Sequence, residues 1–181
     1  DVRVQLLNRK KELLEKYMKG VTQKLFSQEL RFKQTDGTSY TDWEEKRLGE
    51  VVKQNNSGIY KKKELYGEGS NMIGVGDLYS INSIDGQEFR RVPLTKEEID
   101  KYALKKGDLI YGESSLGREG IAKTLFVTEK GEGTCFAWHT RRFTVDQNTI
   151  ASSFLYYQLN SFEPRKSLMR VATQTALTGI T

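Results

Sequence analysis

Cysteine and histidine are the scarcest reactive residues in this sequence, with one of each among 181. The single cysteine, Cys135, excludes a disulfide framework and any cysteine-based zinc site, and it fits a reducing compartment. Cys135 and the lone His139 stand four apart in TCFAWHTRRF, residues 134–143, a run that reads as one strand and puts both on the same face. A nucleophile and base need a third, orienting group, and none is indicated. A buried cysteine otherwise behaves as a small hydrophobe. Long apolar runs are also missing. None approaches the roughly 20 residues needed to span a bilayer. No signal-peptide pattern opens the chain, since Asp1 leads directly into a charged helical pattern, and the lack of an initial Met reads as a piece of something longer. There is no GxxxxGKS/T phosphate loop, no GxGxxG after a strand and no HExxH. Gly67-Glu68-Gly69 and Gly74-Val75-Gly76 are isolated pairs, too short to carry a site. These absences read as a chain that binds something rather than transforming it.

What remains is polar and basic. Apolar residues make up 36% of the chain and charged residues 29%, with a mean hydropathy of −0.63. That supports one domain with a proper core and a surface-rich element appended to it. The net charge of +5 and isoelectric point near 9.2 fit a polyanionic partner, although many basic proteins have none.

The surface-rich element comes first. Residues 1–30 form one long amphipathic pattern in which Leu7, Leu14 and Val21 fall seven apart and Leu6, Leu13, Tyr17 and Leu25 widen the stripe. Glu12 with Lys16 and Glu15 with Lys19 are favourable four-apart pairs. A coiled-coil arm, a helix docked on the domain and a membrane-surface helix compete. The narrow stripe and mixed charges favour a helix partner. Residues 31–42 read as a linker, and the globular domain is expected to begin at Trp43, with Trp43 as a core anchor rather than a base-stacking platform.

The domain is organised around KKGDLIYGESSLGREGIAK, residues 105–123. A turn at Lys105 to Asp108 enters a short apolar strand, Leu109-Ile110-Tyr111, and a polar glycine loop leads to a second strand from Ile121. Ser114, Ser115, Arg118 and Glu119 on that loop suit a polar, anionic partner, and a plain solvent-exposed hairpin would look the same. Upstream, Lys61-Lys62-Lys63 is a solvated face or a phosphate contact. Asn71 to Ser80 reads as strand then turn, Phe89 to Val92 as a strand, and Thr95 with Glu98 as a capping box opening a short helix. Downstream, residues 121–128 alternate as a strand, 149–159 are helical, Pro164 breaks the path, and 165–171 form a short basic helix. The expected fold class is α+β, several β-strands with short helices, not a doubly wound sheet.

Several stretches resemble the DNA-specificity subunit of type I restriction-modification enzymes. LLEKYMKGVTQKLFSQELRF (13–32) followed by DWEEKRLGEV (42–51) is similar to the end of the family's central conserved helix and the start of its second target-recognition domain. Leu104 to Lys123 resembles its Leu-Lys-x-Gly-Asp-Leu-Ile … Gly … Ile-Ala-Lys signature, and FLYYQLNS (154–161) and ATQTALTGIT (172–181) resemble its late helix and close. Ala172-Thr173-Gln174 stands where the family usually has a glycine. The resemblance implies residues 1–32 as the end of a central helix, 33–42 as a linker and 43–181 as a target-recognition domain truncated before the distal helix.

It implies double-stranded DNA as partner, with this domain reading one half of a split target in a bacterial or archaeal cytoplasm. Modification subunits using S-adenosylmethionine would dock on the full subunit, and ATP- and magnesium-dependent restriction subunits would join them. The chain itself would hold no cofactor. A non-DNA protein-interaction module with a recruiting helix is the alternative. Under the DNA reading, bases are met by Ser80, Asn82 and Ser83, by Ser114, Ser115 and Arg118, and by Arg141 and Arg142, with Gln174 as a further candidate. Arg118 is the first choice for guanine, against a salt bridge to Glu113 or Glu119. Phosphates fall to Lys61, Lys62, Lys63, Lys105, Lys106 and Lys123, and Arg165, Lys166 and Arg170 serve either DNA or a partner subunit. Leu7, Leu14, Val21 and Leu25 would pack on another helix, through which the chain would self-associate.

Overall fold

The computed structural model describes residues 1–115, 123–171 and 178–179, giving backbone alone at residues 114–115, 162–163, 168–169, 171 and 178–179. Arg118 and Gln174 lie outside the described residues, as does the start of the strand expected from Ile121. By internal contacts the chain divides into two units, Asp1–Glu45 and Lys46–Thr181.

The first unit is helix α1, Val2–Phe26, with a clasped loop after it. Asp1 caps the helix, its carboxylate accepting from the Arg3 amide at 2.9 Å. The helix ends sooner than the apolar pattern suggested, because Gln28 takes a left-handed φ of 62°. None of its residues is buried, and Leu7 and Leu14 are 58% and 50% exposed. The expected linker is folded: the Gln34 amide bonds Thr38 O at 2.8 Å, and Gly37 turns the chain at φ +85°. The Arg31 guanidinium holds Asp42 Oδ1 at 2.7 Å and the carbonyls of Thr41 at 2.8 Å and Tyr40 at 3.1 Å. Trp43 is not the core anchor of the domain. It sits in this unit, 43% exposed, edge-on to Phe26 with ring centroids 6.1 Å apart. A large ring follows the apolar partner it can reach, and here that partner is on the helix.

The second unit holds α2 (Leu48–Val51), β1 (Val52–Ser57), β2 (Ser70–Ile73), β3 (Ser83–Ile84), β4 (Arg90–Val92), α3 (Lys96–Tyr102), β5 (Leu109–Gly112), β6 (Ser114–Ser115), β7 (Thr124–Val127), β8 (Cys135–Phe136), β9 (Thr140–Val145), α4 (Ser152–Asn160), α5 (Phe162–Val171) and β10 (Thr178–Gly179). The main sheet has five strands in the order β1-β9-β5-β7-β3, with β4-β2-β8 and β10-β6 as smaller sheets. All of this is α+β, and α3 opens on the expected box, Thr95 with Glu98.

β5 is apolar on both faces because both are covered. Ile110 packs with Leu125, Val127, Ile84, Leu104 and Phe136 under the β4-β2-β8 side. Leu109 and Tyr111 face Phe143, Val145 and α4, through Leu155 and Leu159. Each fully buried leucine of that kind contributes about 2 kcal/mol by removing apolar surface from water. Entry to β5 is fixed by Gly107 and Asp108. Gly107 adopts φ +86°, and a Cβ there would meet Gln147 Nε2 at 2.6 Å. Asp108 is buried, accepting from the Lys105 amide at 2.9 Å and the Thr144 hydroxyl at 3.0 Å, while burial pushes its carboxyl above the usual range.

Two expectations change. TCFAWHTRRF is not one strand: β8 lies parallel to β2, His139 turns left-handed at φ 64°, and β9 then joins the main sheet. Cys135 and His139 therefore do not share a strand face, and burial raises the thiol pKa to about 11. Pro164 does not break the path either, since α5 begins at Phe162 and carries the proline in its first turn, where the missing N–H costs nothing.

Candidate nucleic-acid interface

The strand registers decide what can meet. Gly112 lies opposite Thr140, Tyr111 opposite Thr124 and Ser57 opposite Arg141, so β5 and β1 finish where β9 and β7 begin. That end of the main sheet gathers Ser57, Glu113, Ser114, Lys123 and Arg141 from separate segments. β3 runs parallel to β7, which brings the preceding Ser80 and Asn82 alongside Lys123. The Lys123 ammonium donates to the carbonyls of Ile81 at 2.7 Å and Tyr79 at 3.3 Å.

Arg141 is the hub of this end. Its Nε donates to Asn55 Oδ1 at 2.9 Å, and Nη1 to Ser57 Oγ at 2.9 Å and Glu113 Oε1 at 3.3 Å. Asn55 Oδ1 also accepts from the Tyr111 hydroxyl at 3.3 Å. With its oxygen doubly engaged, the Asn55 amide nitrogen is left to point at whatever approaches. The amide, the hydroxyl and Arg141 stand on strands, which hold hydrogen-bonding groups more firmly than a loop does, and the Glu113 carboxylate follows directly on the end of β5. Burial holds the Lys123 ammonium below its ordinary pKa, and the nearby Arg165 cation adds to this.

Other expected contacts are elsewhere or occupied. Lys105 and Lys106 precede β5 and so lie at the opposite end of the sheet, and Lys106 is paired with Glu129 at 2.9 Å. The Lys61 ammonium is held by both oxygens of Glu98, at 2.7 and 2.9 Å, whereas Lys62 and Lys63 are exposed. Ser80 turns its hydroxyl to Asp77 O at 3.0 Å, and the Asn82 carbonyl accepts from Tyr156 at 3.1 Å, leaving the exposed Asn82 side chain outward. Ser83 begins β3 and is half-buried. The backbones of Ser115 and Ser114 pair with Thr178 and Gly179.

Arg142 is a correction. It is only 7% exposed, with Nη1 donating to Ala103 O at 3.1 Å and Nη2 to Lys101 O at 3.4 Å, and its guanidinium lies 5.4 Å from the Phe136 ring centre. Alternation along β9 sends its neighbour Arg141 out and Arg142 into the fold, where it closes the C-terminal end of α3.

Against this geometry, the family model described as the type I restriction modification DNA specificity domain matches residues 40–179. The chain belongs to that family. It is 24% identical over 154 residues to the type I restriction enzyme StySPI specificity subunit of Salmonella potsdam, covering 85% of this chain and 33% of that protein. Its fold is shared with the HsdS subunit from Thermoanaerobacter tengcongensis, at TM-score 0.52 and 15% identity over 97% of this chain and 42% of that one. A chain from the structural study of complex assembly and conformational transition of the type I R-M system gives TM-score 0.53 and 17% identity, covering 98% of this chain and 42% of its own length. This specificity-domain chain thus spans about a third of the curated relative it matches.

One feature of the specificity domain escaped sequence reasoning. Tyr60 and Trp138 form an exposed edge-to-face pair with centroids 4.8 Å apart, and Trp138 lies 3.9 Å from the His139 ring. On an unbroken strand Trp138 would share a face with Phe136 and pass for core. The left-handed His139 turns it out instead. Gly58 and Ile59 cross this corner closely: the Gly58 amide bonds Thr140 O at 2.9 Å, and the Trp138 amide bonds Ile59 O at 2.9 Å. Thr140 Oγ1 donates back to Ala137 O, and the Glu113 amide holds His139 O at 2.9 Å.

Proposed function

We propose that this chain is a DNA-reading domain that recognises one half of a bipartite duplex target for a type I restriction-modification complex. The supporting observation is convergence: Asn55, Ser57, Glu113, Lys123 and Arg141, from four strands or their ends, meet at one end of one sheet. Carboxylate, amide and hydroxyl groups there match the donor and acceptor edges exposed in a major groove, and the cations match phosphates. Ser80, Asn82, Ser83, Ser114 and Ser115 extend the same rim, and Arg118 remains a proposed guanine contact. Lys62 and Lys63 remain proposed phosphate contacts. Methylation with S-adenosylmethionine and ATP-driven cleavage would belong to partner subunits, this chain supplying recognition only. Among the described residues no group of three His, Cys, Asp or Glu side chains is placed to hold a metal. No described helix is long and apolar enough to cross a membrane.

The test is a domain exchange. Residues 40–170 replace the second recognition domain in a complete specificity subunit of known target, and methylated adenines are mapped by sequencing. One half of the split motif should change while the other holds. Assembly with an unchanged motif would instead favour a protein-interaction module.

The apolar stripe of α1, exposed at Leu7 and Leu14 and half-buried at Val21 and Leu25, carries a second reading. Leu7, Leu14, Val21 and Leu25 are spaced to pack on another helix, and in this chain by itself we expect that partner to be a second copy. Sedimentation of the wild-type chain should give a dimer mass. The double substitution Leu7→Lys, Leu14→Lys should give a monomer, and a monomeric wild type at high concentration would refute self-association.

A further inference from the structure

The corner built from Tyr60, Trp138 and His139 is not used by the polar network, yet it adjoins it. The Glu113 amide is bonded to His139 O, and Arg141 is two residues from His139. Tyr60 and Trp138 are 58% and 47% exposed, an unusual position for two large rings that touch each other. The corner is rigid for a loop. Its backbone is tied to Ile59, Thr140, Phe136 and Ile73, by bonds of 2.9 to 3.2 Å.

We propose that the Tyr60–Trp138 corner is an aromatic contact for duplex DNA, packing its rings against sugars and bases beside the polar end of the sheet. This rests on the DNA-reading function proposed above and extends it to residues outside the hydrogen-bonding set. The chemistry next to the rings favours nucleic acid over protein. Tyr60 is followed directly by Lys61-Lys62-Lys63, with Lys62 and Lys63 exposed. Lysine is depleted from the cores of protein interfaces, whereas cations interleaved with aromatic rings are the usual make-up of nucleic-acid surfaces. The rings meet nearly perpendicular, at an interplanar angle of 77° and 4.8 Å between centroids, so two exposed rings form one compact apolar projection. Apolar wedges of that kind insert beside base steps and unstack the duplex locally.

The experiment uses the full chain and a random-sequence duplex pool at low salt, with Trp43→Phe as background so that Trp138 is the one remaining indole. Adding DNA should quench Trp138 emission. Trp138→Ala should weaken binding roughly tenfold, the scale of one lost aromatic–nucleotide contact, and Trp138→Phe should recover part of it. The dependence of affinity on salt should keep its slope, because no cation is removed. Since Trp138 is half exposed, a melting temperature matching wild type would show that the fold is intact. Wild-type affinity in Trp138→Ala overturns this inference and leaves the reading function standing. Unchanged DNA affinity with lost capture by a modification subunit overturns it in favour of a protein contact. Failure of the wild-type chain to bind any duplex overturns both.

Discussion

Arg142→Ala should lower the stability of the domain by about 3 kcal/mol, the sum of a charge-assisted pair of hydrogen bonds and a cation over a ring. The substitution leaves the Ala103 and Lys101 carbonyls without their donor at the end of α3, and empties space above Phe136. For a chain of this size the midpoint of thermal unfolding should fall by roughly 6–12 °C. Arg142→Lys should be intermediate. It keeps the charge but has neither the planar fork that reaches two carbonyls nor the stacking face. The buried Nε, which has no hydrogen-bond partner among the described residues, shows that the site is not an optimised ion pair but a fit of shape and carbonyls around one side chain. Differential scanning calorimetry measures this directly. An alanine variant that melts with wild type and has lost only DNA affinity would return Arg142 to the interface.

Gly58→Ala should be as damaging, by about 3 kcal/mol or more, through overpacking. A Cβ at this position would lie 2.2 Å from Ala137 O and 2.6 Å from Phe136 O, both backbone atoms that have no rotamer to escape through. Either β1 or the β8–β9 corner must move. Urea unfolding reads the loss, and amide hydrogen exchange at Trp138 and Ile59 should locate it. Wild-type stability with wild-type exchange at those two amides would show that the corner has slack enough to admit a methyl group. The contrast with Gly49, where a Cβ meets nothing within 4 Å, supplies a control substitution in the same region.

Local rules were legible in the sequence, and long-range ones were not. Thr95 and Glu98 announce α3 because a capping box is written in four consecutive residues. Lys105 to Asp108 and the strand after it are equally local, a turn closed by its own Asp108 amide on Lys105 O at 3.0 Å. β1 was missed. VKQNNS is polar and weakly patterned as sequence because it is an edge strand paired only to β9, with three of its inner positions exposed. The corner at His139 was missed because a left-handed turn normally declares itself with glycine or asparagine, and here a histidine is held there by its neighbours' hydrogen bonds. Of the candidate contacts, Arg141 and Arg142 look identical in sequence. Only the register of β9 against β1 and β5 sends one outward and the other into the core. Lys105 and Lys106 stand with Lys123 among the expected phosphate contacts, although a whole strand, β5, separates them from the Arg141 end of the sheet.

The two ends of the main sheet therefore carry different burdens of heredity. At one end Gly107 and Asp108 are fixed by steric contact and buried hydrogen bonds, so change there is costly. At the other, Asn55, Ser57, Glu113 and Arg141 bond chiefly to one another, near solvent, and owe little to the core. Substitutions among such groups usually move stability by about 0.5 kcal/mol or less. A lineage can replace that set member by member, keeping the scaffold while its preferred sequence drifts, which is the latitude a recognition module needs when the targets it must distinguish keep changing.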